Sequence, residues 1–259
     1  MNLTAAEIMV YILTFLYGIV LGSFLNVLIY RIPNKENFTT ERSHCMTCGA
    51  KIKWYDLIPV FSYIFLRGRC RSCKERISIQ YPIVEGLNGL LYVIIFTVNG
   101  ISISMDSVLI SLVTSIFIVI SVIDWRTYEI PFGLNIAIFV LAVIRIVIEP
   151  SGWIEHLTGF AAVSGFMLIC LIIGRIIKGV DAFGGGDIKL MAAAGLFAGW
   201  KCVILAFLIG CVSGAIIHSI RMKVTDADRV LAFGPYLCAG LFISILFGNS
   251  IINWYLGML

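Results

Sequence analysis

The chain has 259 residues, 60% of them hydrophobic and 13% charged, and a formal net charge of +4. An ordinary soluble domain carries about 25% charged residues, so a water-soluble globule hiding this apolar surface in one core is excluded. No basic-aromatic pattern of a nucleic-acid module accompanies the positive charge, which excludes that class too.

Apolar runs of about 18 or more residues read as membrane spans. Eight are expected in chain order: 6–29, 82–98, 104–123, 131–148, 155–174, 188–200, 202–220 and 231–249. The first has no basic residue before it. It runs into Tyr30-Arg31-Ile32-Pro33 without a small-residue cleavage site, so it reads as a retained span. The sixth is short and follows three glycines. Only the stretch between the first two spans reads as soluble. The expected fold is an all-α polytopic membrane protein of about eight helices. Its parts are a first helix (1–29), a cytoplasmic tetracysteine insert (30–81) and a multi-helix membrane domain (82–259). No clean internal repeat or heptad array is present.

Lysine and arginine orient such a protein, because they accumulate in cytoplasmic loops. Ten of the nineteen fall within 31–76, and seven more lie in loops of the same side. Only Arg145 and Lys201 fall near the other side. This bias places the insert in the cytoplasm and both termini outside. Asn26 and Asn88, inside spans, are expected to hydrogen-bond between helices.

The insert contains "HCMTCGAKIKWYDLIPVFSYIFLRGRCRSC". Cys45 and Cys48 form one C-x2-C pair, and Cys70 and Cys73 form another after 21 intervening residues. Four thiolates in two knuckles suit a tetrahedral structural zinc. Gly49 permits a tight turn after the first pair, and Arg69, Arg71 and Lys74 offset the thiolate charge around the second. Two disulfides or a redox pair are the rival readings. Disulfides need an oxidising compartment, which the charge bias disfavours. His44 reads as a bystander. Cys170, Cys202, Cys211 and Cys238 lie in apolar spans and read as small core residues.

Acids at the edge of a span are costly and raise a functional question. Two stand apart. Asp124 closes the third span in "VISVIDWRTYEIP", and Asp187 opens the sixth in "FGGGDIKL". Both fall at the cytoplasmic end of their spans, 63 residues apart in sequence. Two carboxylates meeting in a partly dry site share a proton. One then serves as general base on a water and the other as general acid on a carbonyl. Gly184, Gly185 and Gly186 let the backbone approach a second chain closely and adopt positive φ. An extended peptide needs such a neighbour to pair its amides near lipid. On the residues alone three readings stay open: a protease dyad, a proton-coupled transporter's relay, and structural acids capping or anchoring helices.

Five stretches together resemble one family. They are "GIVLGSFLNVLIYRIP" (18–33), the paired C-x2-C insert, "SIQYPIVEGLNGLL" (78–91), and the two aspartate motifs. In this order they resemble the type IV prepilin peptidases, and the resemblance covers nearly the whole chain. The Gly-x-Gly-Asp run at 184–187 is also shared with presenilin-type intramembrane proteases. The tetracysteine insert separates the chain from the archaeal preflagellin peptidases. The resemblance implies that Asp124 and Asp187 are catalytic. It implies prepilin or pseudopilin substrates, cleaved on the cytoplasmic side of the bacterial inner membrane, and possible service to a pilus or secretion machine. It also implies N-methylation of the new terminus by S-adenosylmethionine. No glycine-rich nucleotide loop marks the methyl-donor site. Glu85 is a candidate for that second activity or pairs with an insert arginine such as Arg76. Lys189 is a candidate for tuning Asp187 or binding a substrate carboxylate, or snorkels. A transporter or a non-enzymatic secretion scaffold is the alternative function.

Overall fold

A computed structural model describes residues 4–37, 43–101, 104–179, 181–225 and 230–258. Among these the architecture is helical, and the only β pairing is two isolated bridges. The helices are α1 (Ala5–Asn34), α2 (Phe61–Phe65), α3 (Gln80–Val98), α4 (Met105–Thr127), α5 (Phe132–Ile148), α6 (Trp153–Lys178), α7 (Gly185–Ala198), α8 (Trp200–Thr225) and α9 (Gly234–Leu256). Six of them are long and apolar enough to cross a membrane: α1, α3, α4, α6, α8 and α9. The expected spans at 131–148 and 188–200 correspond to shorter helices, α5 with 17 residues and α7 with 14. A 14-residue helix rises only about 21 Å, against a hydrocarbon core of about 30 Å.

The chain divides into two compact units, 1–119 and 120–259. In the first, α1 and α3 lie antiparallel and nearly touch. A Cβ on Gly18 would stand 2.7 Å from the Gly89 Cα, and one on Gly22 would stand 2.7 Å from the Glu85 Cα. Small residues allow this approach, and polar side chains then bridge the backbones. Asn88 Nδ2 donates to the Gly18 carbonyl at 2.7 Å, and Asn26 Nδ2 donates to the Tyr81 carbonyl at 3.2 Å. The expected interhelical role of both asparagines is thus observed. Ser115 of α4 donates to Asn88 Oδ1 at 2.8 Å and lies 2.9 Å from the Tyr92 hydroxyl.

In the second unit, α7 is wrapped by protein. Leu190, Met191, Ala193, Ala194, Gly195, Leu196 and Phe197 are all buried. It crosses α6 where a Cβ on Gly195 would stand 2.2 Å from the Gly159 carbonyl oxygen. Helix ends leave carbonyls without intrahelical partners. Here Arg145 of α5 donates to the Phe197 carbonyl at 2.8 Å, and His156 Nδ1 of α6 lies 2.9 Å from the Leu196 carbonyl. One of the two basic residues outside the cytoplasmic bias therefore caps the negative end of the α7 dipole. Of the four span cysteines only Cys238 is buried; Cys170, Cys202 and Cys211 are half-buried.

Candidate active site

Asp124 sits in the last turn of α4 and is 4% exposed. Its Oδ2 accepts the Gly234 N–H at 2.8 Å. Gly234 is the first residue of α9, so this amide is one that the helix itself leaves unpaired. Asp187 is the third residue of α7 and half-buried. Gly184, at the N-cap of α7, lies against the Asp187 carboxylate: a Cβ there would stand 2.9 Å from Oδ2. Each acid thus stands at the positive end of a helix dipole, which favours anionic charge. The two carboxylates are close enough for their charges to act on each other. The Cys238 sulfur, one turn into α9, lies within electrostatic reach of both.

Both helix starts carry Phe-Gly: Phe183-Gly184 stands just before α7, and Phe233 precedes Gly234, which opens α9. The Phe183 and Phe233 rings stack with centroids 6.3 Å apart, and Phe207 of α8 packs edge-on against both at 6.1 and 6.5 Å. Offset and edge-on ring pairs add about 0.5–1.5 kcal/mol each beyond area burial. This cluster ties the two helix starts together. Gly234, Phe183 and Phe233 were not singled out from the sequence, although the repeated Phe-Gly before a helix was a readable signal.

The positive φ expected of the glycines is not found. None of Gly184, Gly185 and Gly186 has positive φ. Gly184 is extended (φ −67°, ψ 138°), and the other two begin the helix. Their contribution is space. A Cβ on Gly184 would stand 2.9 Å from Asp187 Oδ2, and one on Gly186 would stand 3.0 Å from the Ile130 Cβ. Nothing faces Gly185 within 4 Å. Lys189 is not directed at Asp187, because two residues turn about 200° around a helix. Its Nζ lies 4.9 Å from the centre of the Phe132 ring. Trp125, beside Asp124, is exposed and covered by the Arg221 guanidinium at 4.5 Å.

In the first unit the four cysteines of the insert converge. The sulfurs of Cys45, Cys48, Cys70 and Cys73 all lie within 4.8 Å of one another, and Cys45 and Cys73 are 3.8 Å apart. Zinc–sulfur bonds of about 2.3 Å in a tetrahedron require sulfur–sulfur edges of about 3.8 Å, so the donor set fits that metal. The two knuckles are built on the same backbone bonds. Cys45 N–H donates to Ala50 at 2.9 Å and Gly49 N–H donates to Cys45 at 2.9 Å. Cys70 N–H donates to Glu75 at 2.8 Å and Lys74 N–H donates to Cys70 at 3.1 Å. A bridge closes each turn, His44 with Lys51 and Arg69 with Arg76. The left-handed position is Gly49 (φ 68°) in the first and Lys74 (φ 62°) in the second.

The amides of Cys48 and Thr47 pull the Cys45 thiol down to about 6. The Glu75 amide also favours a thiolate at Cys73, yet desolvation and hydrogen bonds with Cys70, Cys48 and Cys45 push that thiol up to about 12. Four sulfurs this close cannot all ionise without a cation among them. Glu85 is 6% exposed, and among the described residues no salt bridge joins it to Arg76 or another insert side chain. Its Oε2 accepts the Val60 backbone N–H at 2.7 Å. The backbone amide reaches α3 first because the loop carrying it lies beside the first turns of the helix.

Known proteins carry the same two parts. The family model described as the bacterial peptidase A24 N-terminal domain matches residues 16–99, and that described as the type IV leader peptidase family matches 110–219. The chain is similar to the prepilin leader peptidase/N-methyltransferase of Vibrio cholerae serotype O1, 37% identical over 83% of this chain and 88% of the relative. It is similar to the protein of that name from Bacillus subtilis, 32% identical over 94% and 97%, and to that of Pseudomonas putida, 30% identical over 90% and 89%. No solved structure matches. With the cysteine insert inside the first matched region and both aspartates inside the second, in one order along one chain, this protein belongs to the type IV leader peptidase family, beside the prepilin leader peptidase/N-methyltransferases.

Proposed function

We propose that the chain removes the leader peptide of type IV prepilins or pseudopilins with Asp124 and Asp187, and then N-methylates the new terminal residue. The observation that carries the peptidase reading is that carboxylates from α4 and α7 lie within electrostatic reach of each other, Asp124 held by the Gly234 amide and Asp187 set in the first turn of α7. With one carboxyl ionised and the other protonated, the ionised one takes a proton from water. The water oxygen bonds to the scissile carbonyl carbon while the other acid protonates the carbonyl oxygen. Collapse of that adduct breaks the C–N bond, and the amine leaves with a proton from the dyad. The bare face of Gly185 offers room for an extended peptide backbone. Lys189, on the far side of α7, is kept for headgroups or a substrate carboxylate beyond the dyad.

Cys45, Cys48, Cys70 and Cys73 would hold a zinc ion, which would cross-link the two knuckles and act structurally. S-adenosylmethionine would supply the methyl group. The described residues offer no glycine-rich nucleotide loop, so no side chain is assigned to that donor, and Glu85 serves the insert's position. In the membrane, α5 and α7 are taken as the seventh and eighth helices beside the six longer ones. The 30–81 insert and both acids face the cytoplasm, and both termini lie outside, in a bacterial inner membrane. A proton-coupled transporter or a passive scaffold is not favoured by relatives that are named for two enzymatic activities.

One experiment reads both activities: the purified chain with a synthetic prepilin peptide and methyl-labelled S-adenosylmethionine. Cleavage after the leader and label on the new terminus are expected. An intact peptide under conditions where the chain stays folded would overturn the reading.

A further inference from the structure

The segment from Trp54 to Phe65, "WYDLIPVFSYIF", belongs to the insert expected to be soluble, yet it is the most apolar part of it. It folds into a 3-10 turn (Trp54–Leu57) and α2. Trp54 is 79% and Phe65 83% exposed, and Leu57, Ile58, Phe61 and Ile64 are exposed with them. Single exposed apolar residues are ordinary, but a contiguous set marks a surface that something covers.

The depth of this segment says what covers it. The Val60 N–H is bonded to Glu85, which lies five residues inside α3, about 7.5 Å along its axis. Across the helix pair, Glu85 stands opposite Gly22. From there α1 runs on for twelve residues to Asn34, about 18 Å. The Val60 amide therefore lies beside the first turns of α3, where α1 is still helical and apolar. Val60 takes φ 60° and ψ −53° there, a conformation that a β-branched residue rarely adopts. The Glu85 bond supplies a partner for its amide in a place with little water.

Charge agrees with depth. Arg67, Arg69 and Lys74 are exposed directly beyond Phe65 and line one cavity with Leu66 and Cys70. The Asp56 carboxylate holds Arg71 by two bonds of 2.8 and 2.7 Å, and Arg71 covers the Tyr55 ring at 5.3 Å, tying the turn to the second cysteine knuckle. An apolar face bearing Trp and Tyr with a basic rim is the pattern of an element lying in a membrane interface.

We propose that Trp54–Phe65 is an interfacial anchor. Its apolar side chains enter the leaflet on the insert's side, and Arg67, Arg69 and Lys74 meet anionic lipid headgroups. The anchor rests on α1 and α3 crossing a bilayer and is independent of which bond the enzyme cuts. It would hold the insert against the membrane at a fixed height.

The test uses the full chain in vesicles of phosphatidylethanolamine and phosphatidylglycerol, with the photo-crosslinker p-benzoylphenylalanine replacing one residue at a time. Leu13, exposed on α1, is the membrane control, and Ser72, exposed in the second knuckle, is the solvent control. Lipid adducts at Phe65 are expected several-fold above Ser72 and comparable with Leu13. Adducts at Leu13 with Phe65 no better than Ser72 would overturn the anchor, as would Phe65 adducts to added prepilin peptide in place of lipid. Absence of adducts at Leu13 would overturn the membrane placement itself. The same contrast from Trp54 covers the case in which the Phe65 variant does not fold. Replacing phosphatidylglycerol by phosphatidylcholine is expected to lower the Phe65 yield and spare Leu13; equal yields would overturn the headgroup part.

Discussion

Each sulfur pair of the insert is set by its own turn, and Asp187 by the start of its own helix, whereas Asp124 is set by a helix that starts elsewhere in the chain. Cys45 and Cys48 need only the turn closed between His44 and Lys51, and Cys70 and Cys73 need only its copy between Arg69 and Arg76. Asp124 is held by Gly234, 110 residues away. A local device tolerates substitution in its surroundings. A device assembled from α4, α7 and α9 is exposed to any change that moves one helix start. The predictions follow from that contrast.

The largest effect is expected at the acids. Asp124→Asn or Asp187→Asn keeps shape and removes proton transfer, which contributes ~10²–10⁴-fold. Leader cleavage is expected to fall by at least that factor, with insertion and folding unchanged. Near-normal cleavage in both variants would remove the dyad from the mechanism. At the insert, Cys45→Ser with Cys48→Ser is expected to abolish bound zinc and leave 30–81 open to proteases. Metal analysis and limited proteolysis read this, and a metal-free native chain with a resistant insert would defeat the zinc assignment.

Gly234→Ala separates stability from activity. Gly234 only opens α9, where glycine weakens a helix less than in its interior, so the melting temperature is expected to change less than turnover. The new Cβ would stand 2.8 Å from Asp124 Oδ2, and a misplacement of about 1 Å at a reacting group costs ~10²-fold in rate. Unchanged turnover would show that the Gly234 contact does not position the acid. The smallest effect is expected at the second knuckle. Left-handed φ costs a non-glycine residue about 1–2 kcal/mol, partly offset by glycine's greater freedom when unfolded. Lys74→Gly should therefore raise the melting temperature of the zinc-loaded insert slightly, while Gly49→Ala lowers it. Opposite signs would show that the two turns are not equivalent.

Much of this was readable before any coordinates. The six long spans follow from runs of apolar residues, because lipid demands them over about 20 residues. The cysteine spacing announced its cluster because each pair is local. Asn26 and Asn88 were legible as interhelical donors, since an amide in lipid must find a partner. Other features were not. The glycine run suggested positive φ, yet α7 begins within it, and only the nearness of Ile130 and Asp187 explains why side chains are excluded. Glu85 suggested an arginine partner and found a backbone amide. The insert read as soluble by its charges, while its apolar centre is exposed and tied to α3 through Val60 and Glu85.

By itself the sequence determined which segments are too apolar for water, which thiols share a metal geometry, and which two acids stand at span ends. Those are properties of composition and short spacing, and any fold of this chain inherits them. Tertiary structure alone decided that Gly234 faces Asp124, that Phe183 stacks on Phe233, and that Val60 reaches Glu85. Hydropathy and periodicity report how strongly a residue avoids water, but not which distant helix end will satisfy it.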